Sequence, residues 1–113
     1  EMETTEPNKV GKEVRALLSA YHSLQSYTEK DIVKFHFDFE RIHPFQDGNG
    51  RVGRLIMFKE CLAHDLVPFI IDSEHKLFYY RGLRQYADIP EYLDDTCLSA
   101  QDHYREVCKK FKV

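Results

Sequence analysis

Residues 43–54 read HPFQDGNGRVGR and join two apolar segments, 32–42 and 55–63, each long enough to form a helix. Pro44 cannot continue the first helix, and it disfavours the right-handed helical conformation at His43. The Gly-Asn-Gly sequence that follows supplies flexible backbone where the second helix must begin. The sequence therefore predicts a loop held between two helices.

This loop has the composition of an anion-binding site. A glycine-rich loop that leads into a helix presents free N–H groups and the positive end of the helix dipole. Arg51 and Arg54 are three residues apart, so they share one face of the first helical turns. Cations at this end of a helix oppose its dipole unless a bound anion faces them. Two forked guanidinium groups would suit a polyphosphate.

Two further side chains complete the pattern. Asp47 is an acid beside a proposed anion site, and a hard cation such as Mg²⁺, held by one carboxylate and by phosphate oxygens, would explain its presence. His43 can move a proton near neutral pH. The loop, the cation, the arginines and the base together predict a phosphate-transfer site.

Each of these residues also has a simpler interpretation. His43 could be a helix-end histidine that is hydrogen-bonded to a carbonyl group, and Asp47 could be an acid that stabilises a turn. Arg51 and Arg54 could be solvated or paired with glutamates on the two flanking helices. Each alternative explains one residue, whereas the functional interpretation explains their combination.

The pattern His-Pro-Phe-x-Asp-Gly-Asn-Gly-Arg-x-x-Arg at residues 43–54 resembles the signature of the Fic domain family at every position. Residues 40–42 and 55–57 are also similar to the family, and the resemblance extends from residue 10 to about residue 90. The phosphate-loop patterns G-x-x-x-x-G-K-[ST] and G-x-G-x-x-G are absent. The resemblance implies an all-α, Fic-type bundle of about five helices, with the catalytic loop between two central helices.

For activity, the resemblance implies transfer of AMP from ATP to a Ser, Thr or Tyr hydroxyl of a target protein, with release of pyrophosphate. His43 would be the general base that takes the proton of this hydroxyl. Asp47 would hold Mg²⁺ against the α- and β-phosphates. Phe45 is expected to be a core anchor of the loop rather than a substrate contact.

The same resemblance assigns the phosphate contacts. The backbone N–H groups of Gly48, Asn49 and Gly50 would form the anion hole. Asn49 would also position the α-phosphate, Arg51 would grip the phosphates, and Arg54 would reach the γ-phosphate. Positioning and charge neutralisation would then carry most of the catalysis.

The resemblance leaves several questions open. The same site could transfer another nucleotide or a phosphoryl group, remove AMP, or belong to a non-catalytic nucleotide-binding helical fragment. Relatives have upstream helices and a β-hairpin flap, so residues 10–113 are expected to be the catalytic-core portion, after a polar segment at 1–9. The inhibitory pattern [Ser/Thr]-x-x-x-Glu-[Gly/Asn] does not occur, so an inhibitory helix could lie upstream, belong to an antitoxin-like partner, or be absent. A homo-oligomer is also left open.

Composition bounds the class of protein. The chain has 113 residues, 42% hydrophobic and 31% charged, which predicts one globular domain. A net charge of −3 without a long basic run argues against nucleic acid as a partner. No apolar run approaches the roughly 20 residues that a membrane span needs. Three cysteines without a framework spacing favour a reducing compartment and predict a cytoplasmic location, with export into a host cell left open.

Apolar spacing and capping signals predict five helices. Thr28 is expected to cap the second helix, Ser73 the fourth, and Pro90 is expected in the first turn of the last. Residues 67–71 are expected to form an extended connector rather than a strand, because Pro68 lies within them. The predicted helices are 9–24, 29–43, 50–64, 74–87 and 90–110.

Overall fold

The computed structural model describes residues 4–111, and these residues form five α-helices and no strand. The helices are α1 (Val10–His22), α2 (Glu29–Ile42), α3 (Asn49–Ala63), α4 (Lys76–Gln85) and α5 (Pro90–Lys110). A short 3₁₀ turn, Pro7–Lys9, leads directly into α1. The predicted all-α fold is therefore confirmed, although residues 1–3 of the predicted polar segment lie outside the described residues. Among residues 4–111, no helix combines the length and apolar character that crossing a bilayer requires.

Helix α2 begins with a capping box and runs through the centre of the fold. The Asp31 backbone N–H donates to Thr28 Oγ1 (3.4 Å), and the Thr28 N–H donates to Asp31 Oδ2 (2.9 Å). These reciprocal bonds satisfy two N–H groups that the helix itself leaves free. More than half of the α2 residues are buried, as its apolar composition predicts. The end of α2 is therefore a rigid support for the loop that follows.

The hydrophobic core joins α2 to the three later helices. Full burial of a large apolar side chain stabilises the fold by about 1.5–3 kcal/mol. The members of this core are Ile32, Val33, Phe37, Met57, Cys61, Phe69, Tyr79, Leu83, Leu93, Cys97 and Ala100. Helices α4 and α5 cross very closely, since a Cβ at Gly82 would lie 2.8 Å from Leu93 Cα.

The connection between α3 and α4 confirms one prediction and corrects another. Residues 67–71 form a connector that is neither helix nor strand, which confirms that they are not a strand, and Phe69 within it is buried. The prediction that Ser73 caps α4 is wrong, because α4 begins at Lys76 and Ser73 lies in the preceding turn. Asp72 stabilises this turn instead, since its Oδ1 accepts from the His75 backbone N–H (3.1 Å) and lies 2.7 Å from His75 Nδ1. Aspartate and serine stabilise turns in the same way, so composition alone did not separate them.

Candidate functional site

His43 is the residue at which α2 ends. Its backbone N–H still donates to the Phe39 carbonyl (3.1 Å), but its φ of 56° and ψ of 60° are left-handed. Pro44 explains why His43 leaves the right-handed helical region, which a proline disfavours for the residue before it, and the left-handed conformation itself is one that commonly ends helices. The His43 side chain is exposed as a result. The His43 imidazole is thus exposed, while the His43 backbone is still held by a hydrogen bond to the buried helix α2.

The loop after His43 is held closed by one side chain. Asn49 is only 4% exposed, and its Oδ1 accepts from the Phe45 backbone N–H (2.9 Å) while its Nδ2 donates to the Phe45 carbonyl (2.7 Å). The Asn49 side chain therefore clamps the loop onto the start of α3. That the side chain also positions the α-phosphate stays a prediction, for which one N–H of its amide is left without a partner among residues 4–111.

Phe45 does not anchor the loop in the core. Its side chain is 50% exposed, and its ring centroid lies 6.5 Å from that of Phe39. The prediction of a buried anchor is therefore wrong. The backbone of Phe45, bound on both sides by Asn49, holds the loop instead. Hydrophobicity suggested burial, but the short loop is stabilised by polar contacts to its backbone.

The start of α3 presents three open N–H groups. The first backbone bond of the helix runs from the Val52 N–H to the Gly48 carbonyl (3.0 Å), and no side chain caps the helix. Within residues 4–111, the N–H groups of Asn49, Gly50 and Arg51 therefore have no hydrogen-bond partner. The N–H of Gly48 donates to Asp47 Oδ1 (2.8 Å). Two of the three predicted anion donors, Asn49 and Gly50, thus have unpaired N–H groups in the described part of the chain while that of Gly48 is paired, and their binding of an anion stays a prediction.

Both motif arginines fold back towards this helix start. A Cβ at Gly48 would lie 3.1 Å from Arg51 Nη2, and a Cβ at Gly50 would lie 2.9 Å from Arg54 Nη1. The glycines therefore leave the space that the guanidinium groups occupy. Gly48 also has a φ of 79°, which L-residues with a side chain rarely adopt. Among residues 4–111, neither arginine forms an ion pair with a carboxylate, so the alternative of glutamate pairing is not observed.

Asp47 lies at the exposed tip of the loop. No group of three His, Cys, Asp or Glu side chains in the described part of the chain is arranged to hold a metal ion. A cation at Asp47 would therefore take its other ligands from phosphate oxygens and water, which suits Mg²⁺. The hydrogen bond from the Gly48 N–H uses Asp47 Oδ1 and fixes the direction of the carboxylate.

A cavity of about 500 Å³ opens beside the imidazole. Its walls include Thr5 and Pro7 from the N-terminal segment, and His43 and Phe45 from the loop. The Thr5 N–H donates to the Arg41 carbonyl (3.2 Å), which ties this wall to α2. His43 thus borders a space large enough to admit a side chain of another molecule.

A group of buried polar residues lies on the core side of Arg54, and sequence patterns did not identify it as part of the site. We call His36 and Glu40 of α2, with Tyr79 of α4, the buried cluster. His36 Nε2 and the Tyr79 hydroxyl share a hydrogen bond of 2.6 Å. Burial lowers the pKa of His36 to about 4 and raises the pKa of Glu40. The available signal was a glutamate and a histidine four residues apart on the same face of a helix that is mostly buried.

The structure thus places an exposed histidine, an exposed aspartate and two arginines around one loop and the start of the helix that follows it. The Fic/DOC family model matches residues 1–61, more than half of the chain, so the chain belongs to the Fic/DOC family. It is 35% identical to the "Protein adenylyltransferase Fic" of Culex quinquefasciatus over 67 residues, which are 59% of this chain and 13% of that protein.

Two further relatives share the same name. Identity to the "Protein adenylyltransferase Fic" of Aedes aegypti is 42% over 49 residues, which are 43% of this chain and 10% of the relative. Identity to that of Drosophila melanogaster is 33% over 67 residues, 59% of this chain and 14% of the relative. The matched region thus spans only about one eighth of the length of these curated relatives.

Proposed function

We propose that the chain transfers AMP from ATP to a Ser, Thr or Tyr hydroxyl of a target protein and releases pyrophosphate. Membership of the Fic/DOC family supports this activity in general terms. The observation that carries the proposal is the arrangement at the start of α3, where three N–H groups that are unpaired within residues 4–111 lie together and the guanidinium groups of Arg51 and Arg54 fold back beside Gly48 and Gly50. His43 lies at the other end of the same clamped loop.

The reaction is a displacement at the α-phosphorus. The hydroxyl oxygen of the target forms a bond to phosphorus as the bond to the β-phosphate oxygen breaks. His43 takes the hydroxyl proton, and the electron pair of the broken bond leaves with pyrophosphate. Asp47 would hold Mg²⁺, which would neutralise phosphate charge when bound.

The remaining residues bind and orient the nucleotide. The N–H groups of Asn49, Gly50 and Arg51 would donate to phosphate oxygens, supported by the dipole of α3. Arg51 and Arg54 would hold the phosphates with paired donors. The cavity beside His43 would receive the acceptor side chain. These groups act by positioning and charge neutralisation.

Label transfer from ATP tests the proposal. ATP labelled on the α- or the γ-phosphate is incubated with Mg²⁺, cell lysate as the source of targets, and either the wild-type chain or a variant. We expect covalent α-label on protein, no γ-label, and loss of the signal in His43→Ala. His22→Ala is the matched control, because His22 is also an exposed histidine at a helix end.

The outcomes separate the candidate reactions. Transfer of γ-label would replace nucleotidyl transfer with phosphoryl transfer. Transfer that survives in His43→Ala would remove His43 as the base. If no label is transferred by this chain or by a longer protein that contains it, while ATP still binds, the site is a nucleotide-binding module.

The three free cysteines are compatible with a reducing compartment such as the cytoplasm.

A further inference from the structure

The buried cluster contains polar atoms that the fold leaves unsatisfied. His36 and Tyr79 are each 1% exposed, and Glu40 is 8% exposed. Among residues 4–111, His36 Nδ1 and Glu40 Oε2 have no hydrogen-bond partner. Burying a carboxylate is unfavourable unless an opposite charge or hydrogen bonds compensate for the lost hydration. A purely structural role would be served better by apolar side chains of the same size.

Both unsatisfied atoms face the same point on α3. A Cβ added at Gly53 would overlap Glu40 Oε2 and would lie 3.2 Å from His36 Nδ1. Gly53 immediately precedes Arg54, so the two polar groups approach the backbone that carries this arginine. The absence of a side chain at Gly53 is what allows the approach.

Arg54 is the charged partner of the cluster. Its guanidinium carbon lies 5.8 Å from the centroid of the Tyr79 ring. Burial raises the pKa of Glu40, and the Arg54 guanidinium opposes this rise. Burial and Glu40 raise the pKa of the Tyr79 hydroxyl, and Arg54 opposes this rise too. Arg54 therefore interacts with both residues, although it forms no close ion pair with Glu40.

The other side of the guanidinium is defined by Gly50. A Cβ there would lie 2.9 Å from Arg54 Nη1 and 3.5 Å from its Cζ. The guanidinium is thus held between the helix start on one side and the Tyr79 ring on the other. The Tyr79 hydroxyl is itself fixed by His36.

We propose that Glu40, His36 and Tyr79 are positioning residues that hold the Arg54 guanidinium over Gly50, where it selects a nucleoside triphosphate over a diphosphate. The inference rests on the proposed function, in which Arg54 reaches the terminal phosphate. The Glu40 carboxylate attracts the guanidinium, and the Tyr79 ring is the surface against which the guanidinium packs. His36 fixes this ring through its hydrogen bond with the Tyr79 hydroxyl.

The test compares the affinities of ATP and ADP by titration calorimetry with Mg²⁺ present. Glu40→Gln removes the charge and keeps the shape, and Tyr79→Phe keeps the ring but removes the hydroxyl through which His36 fixes it under Arg54. We expect each variant to weaken ATP binding about tenfold and to leave ADP binding within about twofold. Arg54→Ala should show the same selective loss.

The chain offers a matched pair of control variants. Glu60 is also a buried carboxylate on a helix, and its Oε1 accepts from the Tyr21 hydroxyl (2.8 Å). Glu60→Gln and Tyr21→Phe therefore make the same chemical changes away from Arg54. We expect the ratio of ATP to ADP affinity to remain unchanged in both.

The result separates failure of the inference from failure of the proposed function. If Arg54→Ala weakens ATP and ADP equally, Arg54 does not contact the terminal phosphate and that part of the proposed function fails. If Arg54→Ala is selective but Glu40→Gln and Tyr79→Phe are not, positioning by the buried cluster is wrong. Should Glu40→Gln not fold, Tyr79→Phe decides.

A spectroscopic signature gives an independent reading. The Arg54 Nε–Hε resonance, assigned by its loss in Arg54→Ala, should shift or broaden in Tyr79→Phe and remain unchanged in Tyr21→Phe. An unchanged Arg54 signal in Tyr79→Phe would overturn the proposal without reference to binding.

Discussion

The polar groups at the two ends of α3 differ in whether they have hydrogen-bond partners within the fold. At the C-terminal end, Glu60 is bound by the Tyr21 hydroxyl (2.8 Å), by Lys59 Nζ (2.6 Å) and by His64 Nε2 (3.4 Å). At the N-terminal end, three backbone N–H groups have no partner within residues 4–111, and the nearby Glu40 Oε2 has none either.

The pKa values of Glu60 and Glu40 shift in opposite directions, in keeping with this difference. Burial would raise the pKa of Glu60, but the hydrogen bonds from Lys59 and Tyr21 lower it overall. Burial raises the pKa of Glu40, and the Arg54 guanidinium compensates only in part. The polar groups at the C-terminal end are therefore hydrogen-bonded within the fold. Those at the N-terminal end have no partner among the described residues, so they are available to bind another molecule.

The largest predicted effect concerns the pH dependence of stability. The pKa of buried His36 is about 4 when folded, against 6.5 for an unperturbed histidine. Between these values the unfolded chain binds a proton that the folded chain does not, so stability falls as pH decreases from 6.5 to 4. The loss should be about 3 kcal/mol.

Urea unfolding at several pH values checks this prediction in wild type and in His36→Leu. The raised pKa of Glu40 acts in the opposite direction, since a folded state that binds its proton more tightly gains stability at low pH. The difference between the two proteins isolates the histidine. Equal pH slopes in wild type and His36→Leu would show that His36 is not held neutral.

The second prediction concerns the two hydrogen bonds by which Asn49 holds the loop at the N-terminal end of α3. Asn49→Ala removes two hydrogen bonds to the Phe45 backbone, so His43 is no longer held in a fixed relation to the start of α3. We expect label transfer to fall about a hundredfold, because displacement by about 1 Å is enough for such a loss. Initial rates of transfer measure it.

Gln25→Ala provides the control for this variant. Gln25 is an exposed amide of the loop between α1 and α2, and its side chain forms no hydrogen bond within residues 4–111. Transfer by Gln25→Ala should remain near the wild-type rate. A similar loss in both variants would mean that the effect does not come from the Asn49 hydrogen bonds.

The third prediction separates binding from stability at the same end. In Gly50→Ala the new Cβ would lie 2.9 Å from Arg54 Nη1 and displace the guanidinium. We expect ATP affinity to fall about tenfold. Stability should stay constant or rise by up to about 1 kcal/mol, because alanine favours the helix. Calorimetric titration and thermal unfolding measure the two quantities, and a loss of stability with unchanged ATP affinity would contradict the assignment.

The smallest predicted effect is at the C-terminal end. Tyr21→Phe removes one of the three partners of Glu60 and should cost about 1 kcal/mol of unfolding free energy. ATP affinity should not change, since this contact is separate from the start of α3. Weaker ATP binding in Tyr21→Phe would show that the two ends are coupled through the helix.

Local signals predicted the elements of the fold well. The capping box at Thr28, the proline at position 90 and the left-handed conformation at His43 all depend on neighbouring residues in the chain. The start of α4 was less predictable, because both Ser73 and Asp72 are suitable turn residues and only the contact to His75 distinguishes them.

At the candidate site the structure shows contacts that the sequence did not predict, while the functional roles of the residues stay predictions. Asn49 uses its side chain to hold Phe45, which composition could not reveal, because an amide suits a phosphate and a loop backbone equally well. Phe45 is exposed although its composition suggests burial. The N–H of Gly48 donates to Asp47, so the unpaired N–H groups of the described residues at this helix start are those of Asn49, Gly50 and Arg51.

By itself, the sequence determined the all-α class, the loop between two helices, and the residues that belong to the motif. These features depend on proline, glycine and periodic apolar residues, whose effects act within a few positions of the chain. Tertiary structure alone decided that Glu40 and His36 face Gly53 and that Tyr79 lies against Arg54. Contacts between α2, α3 and α4 depend on how the helices pack, and no local pattern records that packing.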